Sequence, residues 1–262
     1  MLNRWRASLC APFSADHPLW LCGFRSFFLF TALSATLLIG LWSAALTFGA
    51  GLPPVAGGAL VWHAHELIFG FGLAAVAGFA LTAVPEFTGT AAVAPRAVRR
   101  LAACWLLGRL AFALSGLAAP FGPLALGVSA FAHLGLLGGL VAVLAPRLWQ
   151  DPERRHLSFL WGLIALALLG AGFYVDALRG EPPARWLYAM LGVLMVLIVV
   201  AMSRISMSIV NAAIEELDLA GEERNEYRAR PGAIWPSSAS RSIAPPSFSL
   251  PARASVAGWR WP

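Results

Sequence analysis

The chain has 262 residues, of which 59% are hydrophobic and only 12% charged. That is about half the charged share of an average soluble domain, and the mean hydropathy is +0.71. These values exclude a soluble globular enzyme, a disordered chain and a disulfide-built secreted scaffold, and they point to an integral membrane protein. All 19 basic residues are arginine and the net charge is +6. The arginines lie in short groups between apolar runs, which fits membrane orientation and not a nucleic-acid groove. Cys10, Cys22 and Cys104 are scattered and make no metal or disulfide framework.

Taken in chain order, the apolar runs predict six transmembrane helices, each near the ~20 residues a bilayer needs. The first covers Phe27 to Phe48 and is followed by a turn at Gly49 to Gly58 with Pro53 and Pro54. The second runs from Leu60 to Pro85, and Glu86 to Arg100 reads as a polar connection. The third covers Leu101 to Ala118 and the fourth Leu124 to Leu144. After a polar loop, Arg147 to His156, the fifth runs from Leu157 to Val175. Asp176 to Arg185 reads as a loop, and the sixth span runs from Trp186 to Met202. Arginines concentrate before span one, between spans two and three, between four and five, and after six. The fold class is therefore an all-α polytopic helix bundle with both termini cytoplasmic, in a bacterial-type inner membrane.

The expected organisation has four parts. Residues 1–26 form a cytoplasmic N-terminal segment and 27–202 the six-span bundle. Residues 203–230 form an amphipathic cytoplasmic extension, with Ile205, Ile209, Ala213 and Leu217 at helical spacing. Residues 231–262 form a Ser/Pro/Arg-rich tail with no acidic residue and no period, expected to be disordered.

Ionisable side chains inside a span are costly and usually functional. Trp62-His63-Ala64-His65-Glu66 places three of them within four residues at the extracytoplasmic start of span two. On a helix His63 and Glu66 share a face, whereas His65 projects about 200° from His63, so one ion cannot take both imidazoles. A polar cap at the water boundary is the plainer alternative. His133 lies mid-span in the fourth helix, about 14 Å below the outer face against about 8 Å for His65. It is a candidate haem ligand, or a histidine that only bonds a neighbouring helix. Arg109 sits too deep in span three to reach water. It should face the bundle and pair with an anion, whether Glu66, a haem propionate or a transported species. Asp176, Arg179, Glu181 and Arg185 read as loop charges, and Trp62, Trp105, Trp161 and Trp186 as anchors or packing. The patterns of nucleotide loops, zinc proteases and covalent c-type haem do not occur, and no nucleophile has an assigned base. A conventional enzyme is therefore the least supported class.

The run from Trp62 to Phe71, then Gly78 to Pro85, resembles the NnrS family. His17-Pro18-Leu19-Trp20, Gly23 to Phe28, Thr88-Gly89 and Gly108-Arg109 resemble the same family, over roughly residues 17 to 230. The resemblance implies a polytopic membrane protein linked to the response to nitric oxide, associated with haem and copper. It implies His63, His65 and Glu66 as the family motif and metal positions. His133 and Arg109 join His63 and His65 as cofactor candidates on the reading of the residues themselves, and of these two Arg109 alone also falls on the family pattern. The expected partners are the lipid bilayer and nitric oxide, not nucleic acid. Two other readings stay open: a proton-coupled or anion transporter using the buried His, Glu and Arg, and a structural membrane protein without a small-molecule site. Members of the family are longer, so a change of reading frame near Pro231 is expected. Translation of the other two frames past that codon should then yield further apolar spans.

Overall fold

The structure is a computed structural model that describes residues 17–151 and 156–216. A short 3-10 turn, Pro18–Trp20, leads into six helices. We label them α1 (Gly23–Phe48), α2 (Gly58–Phe87), α3 (Pro95–Ala113), α4 (Phe121–Gln150), α5 (Leu157–Arg179) and α6 (Ala184–Glu216). No strand occurs among the described residues. Five of the helices are long and apolar enough to cross a membrane: α1, α2, α4, α5, and α6 over Ala184–Met207. Their outward faces carry large apolar side chains, such as Phe48 and Phe131 at 83% and 80% exposure. Such a surface suits lipid and not water. The chain is thus a polytopic helical membrane protein.

The remaining helix, α3, is not among these five, and its boundaries shift from the expected ones. It starts at Pro95, not Leu101, because proline at the first helical position lacks only a donor that would be unused anyway. Its first two turns therefore hold Arg96, Arg99 and Arg100, which the sequence had suggested were in a connection. With Arg109 these charges make it less apolar than the other five. It ends at Ala113, short of Ala118. The backbone beyond serves the α1–α2 connection instead: Gly116 N–H donates to the Pro54 carbonyl at 2.8 Å, and the Ser115 hydroxyl accepts from Ala56 N–H at 3.2 Å. Nineteen residues still span about 28 Å, close to a bilayer core.

Contacts at the ends of the helices reproduce the predicted alternation of loops. At one end Arg147 donates to the Ala91 carbonyl, Phe87 stacks on His156, and Phe24 N–H donates to the Thr82 hydroxyl. This gathers the start of α1 with the α2–α3 and α4–α5 connections, where the arginines are. At the other end a cavity of about 340 Å³ is lined by Ala56, Gly57 and Val61 together with Ala177, Gly180 and Glu181. It joins the α1–α2 and α5–α6 connections.

Helix α5 runs one turn past the expected Val175. Asp176 is therefore not a loop charge but a buried carboxylate, 6% exposed, in the last turn of α5. It accepts from Arg185 Nη2 at 2.7 Å and Trp186 Nε1 at 2.6 Å across the corner to α6. Gly180 closes the helix in the left-handed region (φ +78°). Gly180 N–H donates to the Ala177 carbonyl and Glu181 N–H to that of Asp176, the pairing that satisfies helix-end carbonyls. Gly180→Ala should lower stability by about 1–2 kcal/mol, and Gly180→Asn by less. Unfolding of the detergent-solubilised chain by SDS titration measures both.

The helical continuation expected after the sixth span is present through Glu216. Contacts divide the chain at Ser206, and residues 207–216 of the second unit are helical. The expectations for residues 1–16, for Leu217 onward in the amphipathic extension, and for the tail at 231–262 fall outside the described residues.

Candidate functional site

Helix α2 is not uniform. Residues Gly58–His65 are α-helical, Glu66–Gly72 form a π-helical turn, and Leu73–Phe87 are α-helical again. Leu73 N–H bonds the carbonyl of Ile68, five residues back. Such a wide turn inside an α-helix is rare and concentrates at functional positions. The carbonyls of this turn also accept side-chain bonds from α3. Trp105 Nε1 donates to Gly70 O at 3.0 Å, and Arg109 Nη1 to Glu66 O at 3.4 Å. Trp105, expected to be an anchor or packing residue, thus ties α3 to the turn. Gly70 is required there because a Cβ would overlap the Arg109 guanidinium.

The turn begins at Glu66, whose carboxylate is buried. Glu66 Oε2 forms an ion pair with Arg109 Nη2, and Oε1 lies 3.0 Å from His65 Nδ1. The guanidinium lies over the Trp105 ring, 5.5 Å from its centroid. Of the anions expected opposite Arg109, the structure places Glu66. This pair removes the main objection to a carboxylate at this depth, because each charge has a hydrogen-bonded counter-charge.

From His65 the polar contacts continue into α5 and α4. His65 is fully buried, stacked on Phe112 at 3.4 Å and on Phe69 at 4.5 Å between centroids. Its Nε2 is 3.0 Å from the Tyr174 hydroxyl. That hydroxyl also lies 2.5 Å from His133 Nδ1 and 2.9 Å from Ser129 Oγ. Ser129 Oγ contacts His133 Nδ1 at 3.4 Å and the Gly108 carbonyl at 2.9 Å. The result is one continuous polar chain, Arg109–Glu66–His65–Tyr174–His133, crossing four helices inside an apolar core. The imidazoles of His65 and His133, 5.3 Å apart between centroids, are separated by the tyrosine hydroxyl.

His133 Nε2 is the exception in this network. It is buried and has no hydrogen-bond partner among the described residues. The face of its ring packs against Gly108, where a Cβ would stand 2.5 Å from Nε2. His63, in contrast, points away from the network. It stacks on Trp42 of α1 at 4.2 Å, and its buried Nδ1 also has no hydrogen-bond partner among the described residues. The helical geometry thus separates His63 from His65, as their spacing predicts, but Glu66 joins His65 and not His63, with which it was expected to share a face; the wide turn that begins at Glu66 breaks the α-helical spacing. It does not bring His63, His65 and Glu66 onto one centre. Among the described residues no three His, Cys, Asp or Glu side chains are grouped to hold a metal ion.

Two members of the network, Ser129 and Tyr174, escape sequence reasoning. Ser129 precedes His133 by four residues and so shares its helix face, which is a usable signal. Tyr174 lies near the end of its predicted span, where tyrosine ordinarily marks the interface, so its residue type misleads. The cavity between the α1–α2 and α5–α6 connections sits one helical turn from this region, since its Val61 and Ala177 precede and follow His65 and Tyr174 by four and three residues.

Fold and site together define a polytopic membrane protein with a buried ionisable network at a π-helical turn. Over residues 18–259 the sequence matches the NnrS protein family, and the chain belongs to that family. At the family level this makes it a membrane protein related to the nitric oxide response. The match includes the stretch after Pro231, which the sequence reading had left outside the resemblance. No curated protein and no solved structure matches the chain.

Proposed function

We propose that the chain binds haem within the cytoplasmic membrane of a bacterial-type cell and serves the response to nitric oxide through it, with His133 as the iron ligand. The observation that carries this reading is His133 Nε2, a wholly buried imidazole nitrogen without a hydrogen-bond partner among the described residues. An axial ligand needs a neutral imidazole whose other nitrogen is held by an oxygen. His133 Nδ1 is held by Tyr174 and Ser129. Gly108, which lacks a side chain, lies against the face of the imidazole and leaves room for the ring beside α3. Bound haem would supply an iron centre for nitric oxide. The chain's own residues orient the imidazole, keep water out with Phe69, Phe112 and Phe173, and hold Arg109 in place.

Copper fits less well. Both nitrogens of His65 and both oxygens of Glu66 already have partners, which leaves the single Nδ1 of His63 as a buried donor. We derive no role for copper from these residues.

Purification of the full chain in mild detergent, with haem added, should give a Soret band. His133→Ala should abolish it, whereas His63→Ala should keep it. A wild-type protein without the band, or a His133→Ala protein that retains it, overturns the reading. The continuous network also favours a second reading, a proton-coupled transporter. Uptake into vesicles that depends on Glu66 and persists without haem would select it.

A further inference from the structure

We infer that the Glu66 carboxylate, acting through His65 and Tyr174, dictates which nitrogen of His133 carries its proton and leaves His133 Nε2 as a bare electron pair. The inference deepens the haem reading, since it says how the ligand atom is prepared, but it concerns the protein without haem and stands on hydrogen-bond accounting alone.

The accounting starts at Arg109, which is always a donor. Its ion pair makes Glu66 an ionised carboxylate, which can only accept. His65 Nδ1, 3.0 Å from Glu66 Oε1, must therefore carry a hydrogen. The charge of Glu66 is already matched by Arg109, so a second cation on the fully buried His65 would have no counter-charge. His65 is thus neutral and its Nε2 is an acceptor. Among the described residues the hydroxyl within reach is that of Tyr174, at 3.0 Å, so Tyr174 donates its one proton there.

The consequence passes to α4. With its proton committed, the Tyr174 oxygen can only accept. Two groups face it, Ser129 Oγ at 2.9 Å and His133 Nδ1 at 2.5 Å. Ser129 donates its proton to the Gly108 carbonyl at 2.9 Å, which leaves the serine oxygen free to accept from His133 Nδ1. His133 Nδ1 then has two oxygens that can accept from it and none left to donate to it, so it carries a hydrogen. A neutral imidazole has one N–H, and Nε2 is left with a lone pair. The reverse order, with Tyr174 donating to His133, would put hydrogens on both nitrogens of His65 and require the unmatched cation. Tyr174 and Ser129 are therefore positioning residues. They act on whatever electron-pair acceptor meets Nε2 without touching it.

The test is the ¹⁵N spectrum of the imidazoles in the full chain, labelled at histidine, in detergent micelles without haem. The protein has five histidines. Replacing His17, His63 and His156 with Gln leaves only the two in the network. Both should appear as the Nδ1–H tautomer, with Nε2 unprotonated. Tyr174→Phe should leave His65 as it was, because Glu66 still fixes it, and should turn His133 into a mixture of tautomers. A wild-type signal from an Nε2–H imidazole, or a Tyr174→Phe protein in which His133 keeps one tautomer, overturns the inference. If Tyr174→Phe fails to fold, the spectrum with the native network decides alone. A protein with both Nδ1–H tautomers and no Soret band would sink the haem reading and leave this inference standing. An Nε2–H signal beside a His133-dependent Soret band would do the opposite.

Discussion

Arg109→Leu should destabilise the protein by about 3–5 kcal/mol, the largest single effect expected at this site. The reason is not the attraction lost but the charge left behind. Glu66 is buried, and among the described residues its second oxygen has only the guanidinium as partner. Without that cation the carboxylate stays desolvated in the core, with a single bond from His65. Removing the charge as well should recover most of the loss. In Glu66→Gln/Arg109→Leu the amide oxygen still accepts from His65 Nδ1 and nothing ionic remains buried. Arg109→Lys should fall between the two. A lysine ammonium can meet the carboxylate, but it lacks the planar fork that also reaches the Glu66 carbonyl and covers Trp105. SDS-titration unfolding of the four proteins in one detergent gives the ordering. An Arg109→Leu protein as stable as wild type would mean that the ion pair does not exist in the folded chain.

Much of this arrangement is legible in the sequence because the bilayer imposes simple rules. Apolar length marks α1, α2, α4, α5 and α6, and the arginine groups mark one end of the bundle, where Arg147 meets the α2–α3 connection. The cost of a buried charge singles out Glu66 and Arg109 before any geometry is known. What the sequence hides depends on which faces meet. The π-helical turn at Glu66–Gly72 lies in an unbroken apolar run, and only Gly70 and Gly72 hint at it. The role of Tyr174 depends on α5 lying against His65 and His133 at once, and no local pattern reports that. Asp176 looks like a loop charge because the apolar run stops at Val175. Its burial follows from the corner that Gly180 makes and from Arg185 and Trp186 beyond it. The histidine motif misleads in one respect. Regular helical spacing puts Glu66 on the face of His63, yet His63 faces Trp42 while His65 and Glu66 face the core.

Gly108→Ala should destabilise the bundle by about 1–3 kcal/mol, by overpacking and not by any change in helix propensity. A methyl at this position would lie 2.5 Å from His133 Nε2, 2.6 Å from Cδ2 and 2.8 Å from Cε1. The methyl would therefore press on the face of the ring. The ring cannot simply withdraw, because Nδ1 is held by Tyr174 and Ser129, and Ser129 is itself bonded to the Gly108 carbonyl. The alternatives are to break those bonds or to part α3 from α4. Close approach at small residues is a general means of packing helices in a membrane, where lipid provides no drive to bury apolar area. The helix-propensity effect alone would act the other way, since alanine is the better helix former. Gly138→Ala is the control, on α4 with nothing within 4 Å of the added atom, and it should be neutral or slightly stabilising. The cause can be isolated with a double-mutant cycle. His133→Ala alone leaves a cavity, but in the Gly108→Ala background it also makes room for the methyl. The two costs should fail to add by at least about 1 kcal/mol, whereas independent sites add to within about 0.5. Additive costs would place His133 away from Gly108.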